Sequence, residues 1–340
     1  MKLVSVNKNK LIRSVIFFTI GIAAFWYLYQ DLDIPEFKNE FQKIKPLWIF
    51  VSIGINLASQ YFIAKRWKML IVPMGYKPKT LNLFLAVLVL SFTNILIPRG
   101  GEIARGGVVA KYEKIPFAKL IGTVVIERIT DLSALIVLFV VLLIWQFPRI
   151  EELLQMPGLE LDIKTSKYLV TGAIILAVIG LFLLLYHFGI YNKFKNKLAR
   201  LKQDFLTGFW AIMNINGTAR YIGYTFLIYF LWLMMLYVVF FAFKPTDHLG
   251  FGAAAFTFGL STLAFLLPIQ AGMGAWHFVV IQCLLLLGIQ EDAGMVFALV
   301  AHTFTNLIFL VLGPIAFLLF TLVNGKQKHS EGNKRNNYVK

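Results

Sequence analysis

The chain has 340 residues, of which 59% are hydrophobic and only 15% are charged, and its mean hydropathy is +0.73. This composition leaves too little polar surface to cover a water-soluble globule of this size, so it excludes a soluble protein and indicates an integral membrane protein. The formal net charge of +16 comes from short basic blocks between apolar runs, which argues against nucleic-acid binding and makes the charge a topology signal.

Apolar runs follow one another along the whole chain. Most of them approach or exceed the ~20 residues that a helix needs to cross roughly 30 Å of hydrocarbon. Because strand-like alternation is absent from the sequence, we expect helices rather than a barrel. The runs lie near residues 14–29, 47–64, 81–97, 118–146, 168–188, 221–243, 250–267, 275–288 and 293–323.

The N-terminal run follows a basic segment, which places the N-terminus in the cytoplasm by the positive-inside rule. No small-x-small cleavage pattern follows Trp26, so we expect an uncleaved first helix rather than a signal peptide. The loop after this helix is rich in acidic residues and fits the outside. The basic residues are Lys2, Lys8, Lys10 and Arg13, and the acidic ones are Asp31, Asp33, Glu36 and Glu40.

The apolar run 81–97 lies between two basic blocks, so both of its ends are predicted to be cytoplasmic. A segment that crosses once cannot have both ends on one side. A hairpin that turns at Pro98 to Gly101 resolves the conflict, because proline and glycine interrupt a helix. The two basic blocks are Lys65, Arg66, Lys68, Lys77 and Lys79, and Lys111, Lys114 and Lys119.

The second half of the chain repeats this pattern upside down. The run 118–146 leads out to an acidic loop, 168–188 returns to a very basic segment, and 221–243 exits again. A second hairpin, 250–288, then starts and ends outside and is interrupted at Pro268. Interrupted helices at matching places in two halves are typical of transporter binding sites, because they leave backbone groups free to meet a polar ligand.

The predicted fold class is therefore an all-α integral membrane protein with two inverted repeats, about 12–146 and 168–323. Each repeat has three transmembrane helices plus a helical hairpin broken at Pro-Gly, which gives six spans plus two hairpins that are re-entrant or spanning. Residues 1–323 form a single polytopic membrane domain, and 324–340 form a disordered basic tail. Both termini are predicted to be cytoplasmic, and the expected location is a bacterial-type cytoplasmic (inner) membrane.

Residues 191–215 are predicted to form an amphipathic helix on the cytoplasmic membrane surface. Apolar residues recur there at spacings of three and four among lysines, and a solvated linker helix is the alternative. The apolar residues are Phe194, Leu198, Leu201, Phe205 and Phe209.

Three charged residues, Glu127, Arg128 and Asp131, lie near the middle of the predicted helix 118–146. Charges there cost about 2.5–3.5 kcal/mol each on insertion scales, so they must have partners. Spacings of three and four place them on neighbouring helix faces, where they can form one ionic cluster.

The first hairpin adds Arg99, Glu102 and Arg105, which makes three arginines and three carboxylates if the loop meets the helix. Such a balanced set is tolerable in low dielectric, and its guanidinium groups can exchange a carboxylate for a phosphate, which arginine binds through two hydrogen bonds. The alternative is that the cluster only holds the hairpin against the helix, which is the favoured interpretation for Arg128 with Asp131. Glycines that allow a ligand to approach the backbone are Gly100, Gly101, Gly106 and Gly107.

The second hairpin offers Gln270, Gly272, Gly274 and His277 after its proline. His277 either binds a ligand at the helix start or is a hydrogen-bonded packing residue. Further polar residues of the helices are weaker pathway candidates, for which ordinary interhelical hydrogen bonding is favoured. They are Asn56, Ser59, Gln60, His302, Thr305 and Asn306.

The sequence predicts no catalytic residues, no metal site and no cofactor. It has no Asp-x-Asp or His-x-x-x-His grouping and no nucleotide-binding loop of the G-x-x-x-x-G-K type. Its single cysteine, Cys283, lies in an apolar run, so no intramolecular disulfide is possible.

Two motifs resemble a known family. Pro98 to Arg105 (PRGGEIAR), followed by Thr123 to Leu132 (TVVIERITDL), resembles the lysylphosphatidylglycerol synthase transmembrane region, also described as the flippase-like membrane family. Leu267 to Gly274 (LPIQAGMG) is similar to that family's second proline-glycine motif. The resemblance covers about 12–323 and implies lipid or lipid-linked translocation. Only a short polar stretch follows the last predicted helix, so the aminoacyl transferase chemistry of the larger synthases is expected to be absent. The family's second motif commonly carries an acidic residue after its glycines, where this chain has Ala275, Trp276 and His277.

The leading functional hypothesis is a flippase-like transporter for an anionic lipid, with a phospholipid or a polyprenyl-phosphate-type lipid as partner in the bilayer and no nucleic acid. Two alternatives stay open. One is a membrane enzyme that acts on a lipid phosphate, with Glu102, Glu127 or Asp131 as general base. The other is a non-transporting envelope scaffold.

Overall fold

The computed structural model of the protein describes residues 19, 22, 23, 25–30, 34–97, 100–145, 217–266 and 272–336. Within these ranges the chain consists of helices joined by turns, with no strand. This confirms the all-helical class that the apolar runs predict. The predicted run 168–188 and the predicted surface helix 191–215 lie outside the described residues.

Nine α-helices whose bounds lie in the described part of the chain are numbered here in chain order. Two short 3-10 turns, Val72–Met74 and Leu263–Leu266, follow the second and seventh helices. The helices are α1 (Ile34–Gln42), α2 (Pro46–Ile71), α3 (Thr80–Leu96), α4 (Gly101–Glu113), α5 (Phe117–Trp145), α6 (Thr218–Phe240), α7 (Phe251–Thr262), α8 (Ala275–Leu286) and α9 (Glu291–Asn336).

The helix boundaries follow local sequence signals. Pro46 occupies the start of α2, where its missing N–H has no intrahelical partner to lose. The 3-10 turn after α2 ends at Gly75, whose φ of 85° is in the left-handed region that glycine adopts without a steric penalty. Lys114 ends α4 in the same region with a φ of 56°.

Three helical segments in the described part are long and apolar enough to cross a membrane: Pro46–Met74, Thr218–Phe240 and Glu291–Asn324. Three shorter apolar helices accompany them, and these are α3, α7 and α8. The chain is therefore an integral membrane protein with several apolar helices.

Both sequence breaks fall between packed helices. The first lies between α3 and α4, which pack against each other, and the second lies between the 3-10 turn after α7 and α8. Each predicted hairpin is thus a helix, a break and a second helix. The four helices beside the breaks, α3, α4, α7 and α8, have 17, 13, 12 and 12 residues. Each is shorter than the ~20 residues that a straight helix needs to cross the hydrocarbon.

The chain divides into two compact units. One comprises residues 1–127 and 215–340, and the other comprises residues 128–214. In the first unit, α2 packs along α6, α3 packs along α9, and α8 packs against α7 and α9. The described part of the second unit is the α5 segment 128–145.

The contact between α3 and α9 depends on a missing side chain. A Cβ added at Gly313 would overlap the Cβ and Cγ of Phe92 and would lie 3.0 Å from its Cδ2. Pro314 follows inside α9. The two helices therefore cross closely at a residue without a side chain, as is common where helices pack in membranes.

Interhelical hydrogen bonds satisfy three of the six polar residues that were weaker pathway candidates. Asn56 donates to the Thr305 carbonyl at 3.2 Å, which joins α2 to α9. Trp232 of α6 donates to Ser59 at 3.1 Å. Ser91 of α3 donates to Gln60 at 3.3 Å. These bonds agree with the structural interpretation of the residues of α2.

The C-terminal helix is longer than the sequence predicts. α9 continues to Asn336 and so includes residues 324–336, where we expect a disordered tail. Once a helix is nucleated, each further residue adds one hydrogen bond for one residue fixed, which favours continuation from a long apolar helix. At residue 324 the chain is anchored, because the Asn324 amide exchanges hydrogen bonds of 3.0 and 3.1 Å with that of Asn82.

Candidate functional site

The centre of the candidate site is Glu127, a carboxylate with no exposed surface. It lies on α5 and forms an ion pair with Arg105 of α4, which is 1% exposed. The structure thus brings together two of the predicted site residues, one from the first hairpin and one from the helix. A charge-assisted hydrogen bond of this kind joins the segment after the first break to α5.

A second arginine approaches the same carboxylate. Arg66 of α2 is 2% exposed, and its Nη2 lies 3.9 Å from Glu127 Oε1. Its Nη1 donates to Thr225 Oγ1 of α6 at 3.2 Å. The sequence placed Arg66 in a cytoplasmic basic block and missed it as a site residue. No local signal distinguishes it, because a basic residue at the end of an apolar run fits the positive-inside rule equally well.

Aromatic rings line both guanidinium groups. The Arg105 guanidinium carbon lies 4.3 Å from the centre of the Trp67 ring, and that of Arg66 lies 5.8 Å from the centre of the Tyr221 ring. Trp67 is held in place by its Nε1, which donates to Thr123 Oγ1 at 2.8 Å. Cation–π contacts are strongest where water is excluded, so the rings stabilise the two buried positive charges.

The cluster has hydrogen-bonding capacity left over. Glu127 Oε1 and Arg105 Nε are buried and form no hydrogen bond to any described residue. The 3.9 Å between Glu127 Oε1 and Arg66 Nη2 is too long for a hydrogen bond. A ligand with oxygen acceptors would find donors here, and arginine donors match the geometry of a phosphate.

The neighbouring residues on α5 pair with each other. Arg128 Nη2 lies 3.2 Å from Asp131 Oδ2, across one helical turn. These two residues belong to the unit of residues 128–214, whereas Glu127 belongs to the other unit. The sequence favours another role for Arg128 with Asp131, that of holding the first hairpin against the helix, and this role stays a prediction.

Close packing shapes the first break. The Gly101 N–H donates to Asn94 Oδ1 at 2.8 Å, which ties the start of α4 back to α3. A Cβ on Gly101 would overlap the Leu90 carbonyl oxygen, and one on Gly100 would lie 3.0 Å from Ile97 Cβ. Here the glycines permit close approach of the chain to itself. Glu102 lies in the first turn of α4, and Arg99 lies outside the described residues.

Two glycines of α4 differ from each other. A Cβ on Gly106 would lie 3.2 Å from the Phe117 ring, whereas one on Gly107 would meet nothing within 4 Å. Only Gly106 therefore serves the packing of α4 against α5.

The second break presents His277 but no charged residue in its described part. Gly272 and Gly274 adopt φ of 72° and 79°. The His277 side chain lies in the first turn of α8, is 1% exposed, and has its ring 4.4 Å from that of His302. The fourth predicted residue of this break, Gln270, lies outside the described residues.

No group of three or more metal-ligating side chains occurs among the residues that the structure describes. The described cluster consists of two arginines and one carboxylate, and guanidinium groups are donors suited to oxygen anions.

Comparison with known proteins gives one family and one relative. The model of the family described as the lysylphosphatidylglycerol synthase TM region matches residues 11–313. The UPF0104 membrane protein MJ1595 of Methanocaldococcus jannaschii is 27% identical over 143 residues, which is 41% of this chain and 42% of that protein. The match thus spans less than half the length of the relative. No solved structure matches the chain.

Proposed function

The chain belongs to the family of the lysylphosphatidylglycerol synthase TM region, and from this premise we propose that it is a flippase-like transporter. It moves an anionic lipid or lipid-linked substrate between the two leaflets of a membrane. A phospholipid and a polyprenyl-phosphate-type lipid both fit this class, because their tails can stay in the bilayer while the head group crosses.

The observation that carries the proposal is the buried cluster of Arg66, Arg105 and Glu127. Two guanidinium groups share one carboxylate in a place where unpaired charge is costly. A lipid phosphate could replace Glu127 as the partner of Arg105, because arginine binds both groups through parallel hydrogen bonds. Glu127 then serves as the counter-ion that keeps the empty site stable.

The two helix breaks supply the second part of the mechanism. In the proposed inverted-repeat architecture, the α3–α4 hairpin enters from the cytoplasmic side and the α7–α8 hairpin enters from the opposite side. Each break opens the site to one side in turn, so that transport proceeds by alternating access. The proposed location is a bacterial-type cytoplasmic membrane, with both termini in the cytoplasm.

The test is a scramblase-type assay with the purified full chain in liposomes. Fluorescent phosphatidylglycerol is placed in both leaflets, and a membrane-impermeant reductant reports how fast the inner pool becomes accessible. We expect the protein to accelerate this exposure relative to protein-free vesicles, and to act less on the zwitterionic phosphatidylcholine analogue. A failure to accelerate any anionic analogue, polyprenyl phosphates included, would contradict the proposal.

Arg105→Lys tests the role of the cluster directly. Lysine keeps the charge but loses the paired donors, so we expect a decrease in rate of about tenfold or more, the equivalent of one charge-assisted hydrogen bond. Arg66→Lys should act in the same direction. Lys244→Arg, at a residue whose side chain is 78% exposed, is the matched control and should leave the rate unchanged.

Two further measurements separate lipid transport from the two other functional classes. If the protein is an enzyme that uses Glu127 as a general base on a lipid phosphate, mass spectrometry of the recovered lipids will show a covalent change. If it is a scaffold, Arg105→Lys will leave its cellular function intact.

A further inference from the structure

His277 caps its own helix with its side chain. The Gly274 N–H donates to His277 Nδ1 at 3.3 Å, while the Phe278 N–H donates to the Gly274 carbonyl at 2.8 Å. A ring nitrogen that accepts a hydrogen bond carries no proton. The imidazole is therefore neutral in this conformation, with its one ring hydrogen on Nε2.

The cap holds a turn in which two glycines have unusual backbone angles. Gly272 and Gly274 both have positive φ, and Gly274 combines its φ of 79° with a ψ of −61°. Glycine reaches this region but loses much conformational entropy when it is fixed there. The side-chain hydrogen bond satisfies one of the N–H groups that a helix start leaves without a partner. The start of α8 thus depends on an unprotonated Nδ1.

Other rings surround the His277 ring. Its centre lies 5.3 Å from that of Phe25, 5.8 Å from that of Tyr29 and 4.4 Å from that of His302. The ring of Trp276 is 5.7 Å away. Nε2 has no acceptor among the described residues.

No carboxylate among the described residues faces this ring. The elements packed against α8 are α7, the 3-10 turn after it, and α9. The first two carry no titratable group. α9 contributes His302, and its acidic residues Glu291 and Asp292 lie in its first turn, about 15 Å or more from His302 along the axis. Tyr29 donates its hydroxyl to the Met295 carbonyl at 3.2 Å, and Tyr27 is exposed.

We propose that His277 is a proton-binding site whose occupancy is incompatible with the capped turn at the second break. A proton taken from water forms a new N–H bond at Nδ1 and leaves the ring with a positive charge. Two N–H groups, those of Gly274 and of Nδ1, would then point at each other beside a second histidine. The turn must open and expose the charged ring to water. This inference concerns a proton as ligand and does not depend on lipid transport.

The sign of the pH dependence follows because a protonated His277 is incompatible with the capped turn. The capped turn contains only neutral His277, whereas the opened turn lets the ring titrate near the ordinary histidine pKa of about 6.5. The capped turn is therefore fully stable above that pH and is lost as the pH falls. The ratio of opened to capped turn rises about tenfold between pH 7.5 and 5.5, and about tenfold for each further pH unit below 5.5.

Hydrogen exchange in lipid nanodiscs measures the opening. The full chain is labelled at pH 7.5, 6.5 and 5.5, and the exchange of residues 272–280 is corrected for the chemical rate at each pH. We expect the opening equilibrium to rise about tenfold between pH 7.5 and 5.5. His277→Gln offers an acceptor that does not titrate and should abolish the rise. The matched control is His248→Gln, at an exposed loop histidine, which should keep it.

A spectroscopic measurement keeps the proposal testable if His277→Gln does not fold. In the wild-type chain labelled with 15N-histidine, one ring should pass from the Nε2–H tautomer to the charged form over the pH range in which the turn opens. Three results would overturn the proposal. The first two are an exchange that does not change with pH in the wild type and a pH response that survives in His277→Gln. The third is a pH response that is lost in His302→Gln, which would assign the proton-binding site to the His302 ring.

Discussion

Glu127 is the residue on which the stability of the buried cluster depends. It has no exposed surface and is approached by two arginines that are 1% and 2% exposed. Removing the carboxylate would leave two like charges in an apolar interior without their shared partner. The stability of the first unit and the proposed binding of an anion therefore depend on the same side chain.

Glu127→Gln is expected to destabilise the protein by about 3–5 kcal/mol, the range for breaking a buried ion pair. Thermal unfolding in detergent measures the change. Asp247→Asn is the control, because Asp247 forms its ion pairs with Lys45 and Lys244 at the surface, where such pairs contribute little. A small loss in Glu127→Gln that is fully reversed by added phosphate would instead show that the ligand takes over the role of the carboxylate.

The sequence predicts part of this site and not the rest. Glu127 is predicted as a site residue because a charge in the middle of an apolar helix must have a partner. Arg105 is predicted because it follows a helix break and is flanked by glycine. Arg66 could not be identified in this way, because a basic residue at the end of an apolar run fits the positive-inside rule equally well. Its burial depends on Tyr221 and Thr225, which lie more than 150 residues later.

At the scale of elements, the sequence predicts most helices because length and hydropathy are local properties. The runs 47–64, 81–97, 221–243 and 275–288 correspond to α2, α3, α6 and α8. The breaks also follow local rules, since proline removes an N–H and glycine permits positive φ. Which helices touch is not local, and the close crossing of α3 and α9 at Gly313 had no sequence signal beyond a glycine in an apolar run.

Gly313→Ala tests that crossing. A Cβ there overlaps Phe92, so α3 and α9 must separate, and overpacking of this kind costs typically about 1–3 kcal/mol. Thermal unfolding and the yield of monodisperse protein report the loss.

Gly107→Ala is the matched change on α4, because a Cβ there meets nothing within 4 Å. It should leave stability unchanged or raise it by up to about 1 kcal/mol, since alanine favours the helix. Equal losses at the two positions would show that the crossing of α3 and α9 is not close in the membrane.

At the scale of the whole molecule, the inverted repeat remains a prediction from charge. It requires the loops around Lys77 and Lys114 to share one side of the membrane and the loops around Asp247 and Gln290 to share the other. This prediction rests on the distribution of basic and acidic residues over successive loops, because no single helix specifies its own orientation.

Cysteine labelling with a membrane-impermeant maleimide checks it. The native Cys283 is buried, so the background reaction is expected to be low. We expect Lys77→Cys and Lys114→Cys to react only in inside-out vesicles, and Lys244→Cys and Gln290→Cys only in right-side-out vesicles. Lys77→Cys and Lys114→Cys reacting from opposite sides would refute the first hairpin.

The polar side chains of α2 also constrain the order in which the protein can be made. Ser52, Ser59 and Asn56 bond to Met235, Trp232 and Thr305, at sequence separations of 183, 173 and 249 residues. At about 5–20 residues per second, a ribosome supplies those partners on the order of 10 to 50 s after α2 has emerged. During this interval a newly inserted α2 lies in the bilayer without these three interhelical hydrogen bonds. A shortened nascent chain that stops before α6 should therefore be a substrate for membrane chaperones and proteases, whereas the completed chain should escape them.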